Sequence, residues 1–181
     1  MTPEELIGRA AAGDERAFAQ LYDHLAGPIH GTVQAVLRAP ALAEEVTQEV
    51  LLEIWRKAAQ FDPERTPKVR TWALTIAHRR AIDRVRSEQA GRDRQDRAAR
   101  LDVQRPYDEA AEEMLSTMDE ERVRRALGEL TPLQREAVEL AYYHGLTYRE
   151  VAEKLAVAEG SVKTRIRDGL VRLRAALGTY R

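Results

Sequence analysis

Apolar residues in this chain recur at intervals of three and four and period-two alternation is rare, so the backbone that buries them is expected to be helical. Helix starts are written into the same sequence. Thr2-Pro3-Glu4-Glu5, Thr131-Pro132-Leu133-Gln134 and Thr147-Tyr148-Arg149-Glu150 each place a hydroxyl three residues before Glu or Gln, the pattern of a capping box. In the first two, proline takes the first helical position, where its missing N–H loses no hydrogen bond. Stops are expected at Gly13, Gly27 and Gly145, and at Phe61-Asp62-Pro63, where proline disfavours helix in the residue before it. These signals predict helices over 3–12, 14–37, 41–59 and 70–90, then over 117–128, 132–143, 148–155 and 159–177. The fold class is all-α.

The charge pattern divides the chain. The net charge is only -1, but residues 76–100 carry eight Arg against four acids and residues 159–181 carry six Lys/Arg against two. Between them, residues 102–121 hold eight acids and only Arg105. Two basic segments flanking an acidic one fit two nucleic-acid contacts joined by a linker that avoids them. Residues 91–116 lack a sustained apolar stripe and contain Pro106, so the expected organisation is a helical domain over 1–90, a flexible acidic linker over 91–116 and a second helical domain over 117–181. At 181 residues with 44% hydrophobic composition, two small cores of this size are feasible.

Several function classes are disfavoured. Without cysteine there are no disulfides or Cys-based zinc sites, and His24, His30, His78 and His144 are too scattered for a metal cluster, so no metal or other cofactor is expected. There is no Gly-rich phosphate loop, no Cys nucleophile and no convincing triad, which argues against an enzyme and a small-molecule substrate. A response-regulator receiver needs alternating strands and an acidic pocket, and the first half shows neither. The N-terminus has no signal-peptide pattern, and no apolar run approaches the roughly 20 residues that cross a bilayer, so a cytoplasmic protein without direct membrane insertion is expected.

The most specific segment runs from Leu146 to Arg165. A capped short helix, the small-residue turn Ala156-Val157-Ala158 and a longer basic helix follow in order, which is a helix-turn-helix. At 100° per residue, Val162, Ile166, Leu170, Leu173 and Leu177 form the buried stripe of the second helix. Ser161, Thr164 and Asp168 lie on the opposite edge, with Lys163, Arg167 and Arg174 on one flank and Arg165 and Arg172 on the other. Cations flanking a small polar edge suit a major groove, where they grip phosphates while the edge faces bases. Asp168 would be repelled by phosphate, so it either accepts from a cytosine amino group or pairs with Arg165 or Arg172.

In the first half, the helix around Glu44–Lys57 has the apolar arc Val46, Val50, Leu51, Ile54, Trp55 and Ala58. Its polar face is Glu45, Gln48, Glu49, Leu52 and Arg56. A leucine amid carboxylates and an amide is either a docking patch for a basic partner helix or an isolated surface leucine. The next helix opposes Leu74, Ala77, Ala81 and Val85 to Trp72, Ile76, Arg79 and Asp83. Trp72 is either a core residue or, with the arginines, a platform for an unpaired base.

Both halves together resemble the extracytoplasmic-function sigma factors, which retain the second and fourth conserved sigma regions. The resemblance rests on Glu44-Glu45-Val46-Thr47-Gln48-Glu49-Val50 through Trp55, on Phe61-Asp62-Pro63, on residues 72–83, and on Leu130-Thr131-Pro132-Leu133-Gln134-Arg135-Glu136 followed by the helix-turn-helix. It implies that Glu45, Gln48, Glu49 and Leu52 dock on the β′ coiled coil of core RNA polymerase, with the β flap as a second contact. It implies that Arg65, Lys68, Trp72, Thr75, Arg79, Arg80 and Asp83 serve the -10 element, with Arg79 at a flipped base. Ser161, Lys163, Thr164, Arg165, Arg167, Asp168 and Arg172 would serve the -35 element. The acidic linker would run through the polymerase's nucleic-acid channels. No large extra C-terminal domain is evident, so control by a separate anti-sigma protein is expected. The chain departs from the family pattern at Thr66-Pro67, where Gly-Ser is common, at Ala39-Pro40-Ala41, where an acidic start is common, and at Ala156, where glycine is usual.

Overall fold

The computed structural model describes residues 1–92 and 120–178, all of whose regular structure is helical. The chain divides between Val85 and Arg86 into two compact units. The linker expected over 91–116 falls, beyond Arg92, outside the described residues.

The first unit is built on α1 (Pro3–Ala11), α2 (Glu15–Leu37), α3 (Pro40–Lys57) and, as far as Val85, α4 (Val69–Arg92), with a short 3-10 turn over Ala58–Gln60. Thr2 forms the capping box at the start of α1. Gly13, at φ +88°, turns the chain so that Asp14 caps α2 by accepting from the Ala17 N–H at 3.0 Å. Leu6, Ile7, Leu21, Leu25, Ile29, Val33, Val46, Val50, Ile54 and Leu74 fill the core and are at most 1% exposed.

The stop expected at Gly27 does not occur, whereas the helix expected over 14–37 does form as one element. Helix α2 continues through Gly27 and Pro28 to Leu37. Proline inside a helix costs about 3 kcal/mol, but Leu21, Leu25, Ile29, Val33 and Val36 form one buried stripe across the break. Each such side chain returns about 1.5–3 kcal/mol on burial, so tertiary packing overrides the local signal.

The second unit contains α5 (Glu120–Gly128), α6 (Pro132–Tyr142), α7 (Tyr148–Leu155) and α8 (Glu159–Gly178). Thr131 and Thr147 both close capping boxes as their spacing predicts. Leu130, Val138 and Leu173 pack together with Ala126, and Leu127, Leu170 and Ala176 border them. At Gly169 a side chain would begin 3.1 Å from Val138 Cγ2, so glycine is what lets α8 approach α6 this closely.

Candidate nucleic-acid and partner interfaces

Helix α8 is positioned by the turn before it. The Ala156 backbone is left-handed at φ +52° and ψ +45°, and the Val157 N–H donates to the Ala152 carbonyl at 3.0 Å. Val162, Ile166 and Leu173 are buried to 1% exposure or less, which fixes which side of α8 faces outward. Ser161, Lys163, Thr164, Arg167, Arg172 and Arg174 are exposed there, while Arg165 and Asp168 are half-buried at its edges. The Leu177 side chain expected on the buried stripe lies outside the described residues.

Local bonds shape that surface. The Thr164 hydroxyl donates to the Gly160 carbonyl at 3.0 Å. Lys163 Nζ lies 2.8 Å from Glu159 Oε1 and 5.5 Å from the centre of the Tyr148 ring on α7. The hydrogen bond and charge of Glu159 raise the Lys163 ammonium above its ordinary value. The pairing of Asp168 with Arg165 or Arg172, one of the two alternatives expected from the sequence, does not occur; Asp168 pairs instead with Arg167, at 3.1 Å. Those two side chains are adjacent in sequence and both lean to the solvent side, so the bond forms without crossing the helix.

Helix α3 presents Glu45, Gln48, Glu49, Leu52 and Arg56 outward, with Leu52 48% exposed. Its opposite side is buried through Val46, Val50, Leu51 and Ile54. Arg84 of α4 reaches across to this face, with Nη2 3.1 Å from Glu45 Oε1 and Nη1 4.0 Å from Glu49 Oε1. Further along, Glu53 accepts from Lys57 at 2.6 Å and from Arg80 of α4. Burial pushes the Glu53 carboxyl up, but the hydrogen bonds from Lys57 and Arg80 outweigh it and hold the group below its ordinary value.

Helix α4 begins after a loop with its own internal bonds. The Thr66 N–H donates to the Asp62 carbonyl at 2.9 Å, and the Glu64 N–H donates to Asp62 Oδ1 at 2.9 Å. Thr66 is buried, while Arg65, Pro67 and Lys68 are exposed. Glu4 of α1 accepts from the Val69 N–H at 3.2 Å and so holds the first turn of α4. Trp72 is half-buried with its ring edge-on to Phe61, centroids 5.6 Å apart, which leaves it between core and surface. Arg79, Arg80 and Asp83 lie on the exposed side. Thr75 does not join them. It is 7% exposed and its hydroxyl donates to the Thr71 carbonyl at 3.0 Å, because the buried arc of α4 is wider than the four residues read from the sequence.

With this geometry in place, the chain compares directly with known proteins. Residues 21–91 match Sigma-70 region 2 and residues 120–173 match Sigma-70, region 4. The chain is similar to the ECF RNA polymerase sigma factor SigK of Mycolicibacterium vanbaalenii, with 44% identity over 97% of this chain and 89% of that protein. The chain belongs to the ECF RNA polymerase sigma factors. The Mycobacterium tuberculosis SigK of strain H37Ra is likewise 44% identical, over 96% of this chain and 92% of its own length. Among solved structures, Rhodobacter sphaeroides SigE in complex with the anti-sigma ChrR is 33% identical, covers 94% of each chain and superposes with a TM-score of 0.45.

As an ECF sigma factor the protein acts in transcription initiation. The region 2 match takes in α2 from Leu21 onward, all of α3 and nearly all of α4, and the region 4 match takes in α5 to α7 and most of α8. Several contacts of this sigma factor, among the described residues, have no signal in the sequence: Glu4 on Val69, Glu53 on Arg80, Arg84 on Glu45 and on Glu49, and Tyr148 beside Lys163. The i,i+4 pairs Glu53–Lys57 and Glu159–Lys163 were visible as spacings; the contacts between helices were not.

Proposed function

We propose that this sigma factor binds core RNA polymerase through the outer face of α3, reads and opens the -10 element with the 61–68 loop and the outer face of α4, and reads the -35 element with α8. Residues 1–90 act as the region 2 domain, residues 117–181 as the region 4 domain, and residues 91–116 connect them. Glu45, Gln48, Glu49 and Leu52 form the dock. Arg65, Lys68, Trp72, Arg79, Arg80 and Asp83 serve the -10 element, with Arg80 steadied by Glu53. Lys163, Thr164 and Arg167 read base edges, Ser161 and Asp168 line the same edge, and Arg165 and Arg172 hold phosphates. Its partners are core polymerase, promoter DNA and an anti-sigma protein, and its place of action is the cytoplasm. Among the described residues no helix is long and apolar enough to cross a membrane.

The observation that carries this reading is the outward face of α8: a small polar edge flanked by cations, on a helix that Val162, Ile166 and Leu173 lock in one rotational setting. The test is run-off transcription with purified core polymerase on a promoter library. The protein is expected to create defined start sites; a repressor would lower transcription or leave it unchanged. Trp72→Ala and Arg79→Ala are expected to impair bubble formation more than binding to duplex -35 DNA, with partial rescue on a pre-melted template. Unfolding of the first unit by Trp72→Ala would instead assign that ring to the core.

A further inference from the structure

We propose that Tyr148 is a specificity-determining residue for promoter recognition, acting by steering the Lys163 ammonium; this rests on the reading of α8 as the -35 reader. Lysine is a flexible point charge, and an unguided lysine on a groove-facing helix attracts any phosphate or base acceptor within reach. Lys163 is not unguided. Its ammonium sits between Glu159, one turn back on its own helix, and the face of Tyr148 on the preceding helix.

These two guides differ in what happens when DNA arrives. Glu159 is an exposed carboxylate at the first turn of α8, and phosphates approaching that face repel it, so its hold on Lys163 weakens. The tyrosine ring is neutral. Burial raises its phenol above the ordinary value, although Lys163 pulls the other way, so it stays protonated across the physiological range. A neutral ring face attracts the ammonium without competing for its N–H donors as a carboxylate does, which leaves them available to base acceptors.

The ring itself is well placed to steer. Tyr148 is the first residue of α7, directly after Thr147, whose hydroxyl accepts from the Glu150 N–H at 3.1 Å while Glu150 accepts from the Thr147 N–H at 2.8 Å. Val151 of α7 and Val162 of α8 are fully buried, so the backbone on both sides of the Tyr148–Lys163 contact is anchored. The ring is half-buried and half available to the ammonium.

The experiment uses the full chain with core polymerase on promoters that differ by single -35 base pairs, comparing wild type with Y148F, Y148L, K163A and Y148L/K163A. Y148F keeps the ring and is expected to bind like wild type. Y148L is expected to lose about two- to fivefold on the preferred sequence, the range of a partly exposed cation–π contact. It should also relax preference at the same base pair that K163A relaxes, and cost nothing further in the K163A background. Equal weakening by Y148L on every sequence, or additive losses in the double variant, would overturn the proposal. If K163A itself leaves the -35 preference intact, the reader assignment fails and this proposal with it. Should Y148L disturb folding, the chemical shift of the Lys163 Cε protons decides: an upfield ring-current shift in wild type and Y148F is expected, and its absence sinks the contact.

Discussion

Ala156 makes the bend of the helix-turn-helix without glycine's freedom. A left-handed alanine costs about 1–2 kcal/mol, which glycine would remove, but the greater entropy of the unfolded glycine chain offsets about 0.4–1 kcal/mol of that gain. Ala156→Gly, at φ +52°, is therefore expected to raise stability by about 0.5–1 kcal/mol in urea unfolding. A loss would show that the turn relaxes in another way. Glu53 gives a pH-dependent counterpart. Its folded carboxyl lies below the ordinary 4.5, so its contribution is present above that value and disappears as pH falls through the folded one. Glu53→Gln should lower the melting temperature near neutrality, and the gap should close in acid. A gap that stays constant with pH would remove the ion pairs from the explanation.

Helices α6 and α8 meet at Gly169, where an added β-carbon would press on Val138. A β-carbon there would stand 3.1 Å from Val138 Cγ2 and 3.4 Å from Gln134 Cβ. Helix propensity alone favours replacing the glycine, since Gly costs about 1 kcal/mol relative to Ala inside a helix. Packing decides otherwise for anything larger. Gly169→Val is expected to destabilise the second unit by about 1–3 kcal/mol through overpacking, measured as an earlier unfolding transition, and to weaken -35 binding while core binding survives. Unchanged stability would mean that Val138 can move aside. Helix α3 shows the opposite arrangement, because Arg84 and Arg80 meet it through side chains that bridge from α4.

At the level of the whole protein, the proposed function gives the two units different jobs, polymerase docking and -10 opening to the first and -35 reading to the second. Gln48→Ala combined with Glu49→Lys changes only exposed groups of α3, so helical content should be preserved. Affinity for core polymerase should fall in a titration, most at low salt, since a cation then replaces a carboxylate on a face proposed to meet a basic partner. Binding of duplex -35 DNA should be unaffected. Undiminished affinity for core polymerase would rule out α3 as the dock.

Local chemistry was enough to place most helices and to tell their buried faces from their exposed ones. Three capping boxes lie where the Thr-to-Glu/Gln spacing put them, and the stripes Val46–Val50–Leu51–Ile54 and Val162–Ile166–Leu173 are buried as their periods required. Such signals act within one turn or along one helix face, so a sequence states them directly. Tertiary structure decided the rest. Burial across Pro28 carried α2 past a local stop, and the packing of α4 turned Thr75 inward. Arg80 and Arg84 found carboxylates 27 and 39 residues away, and Glu4 reached Val69 across 65. No periodicity encodes such meetings, because they depend on which helix faces come together in space.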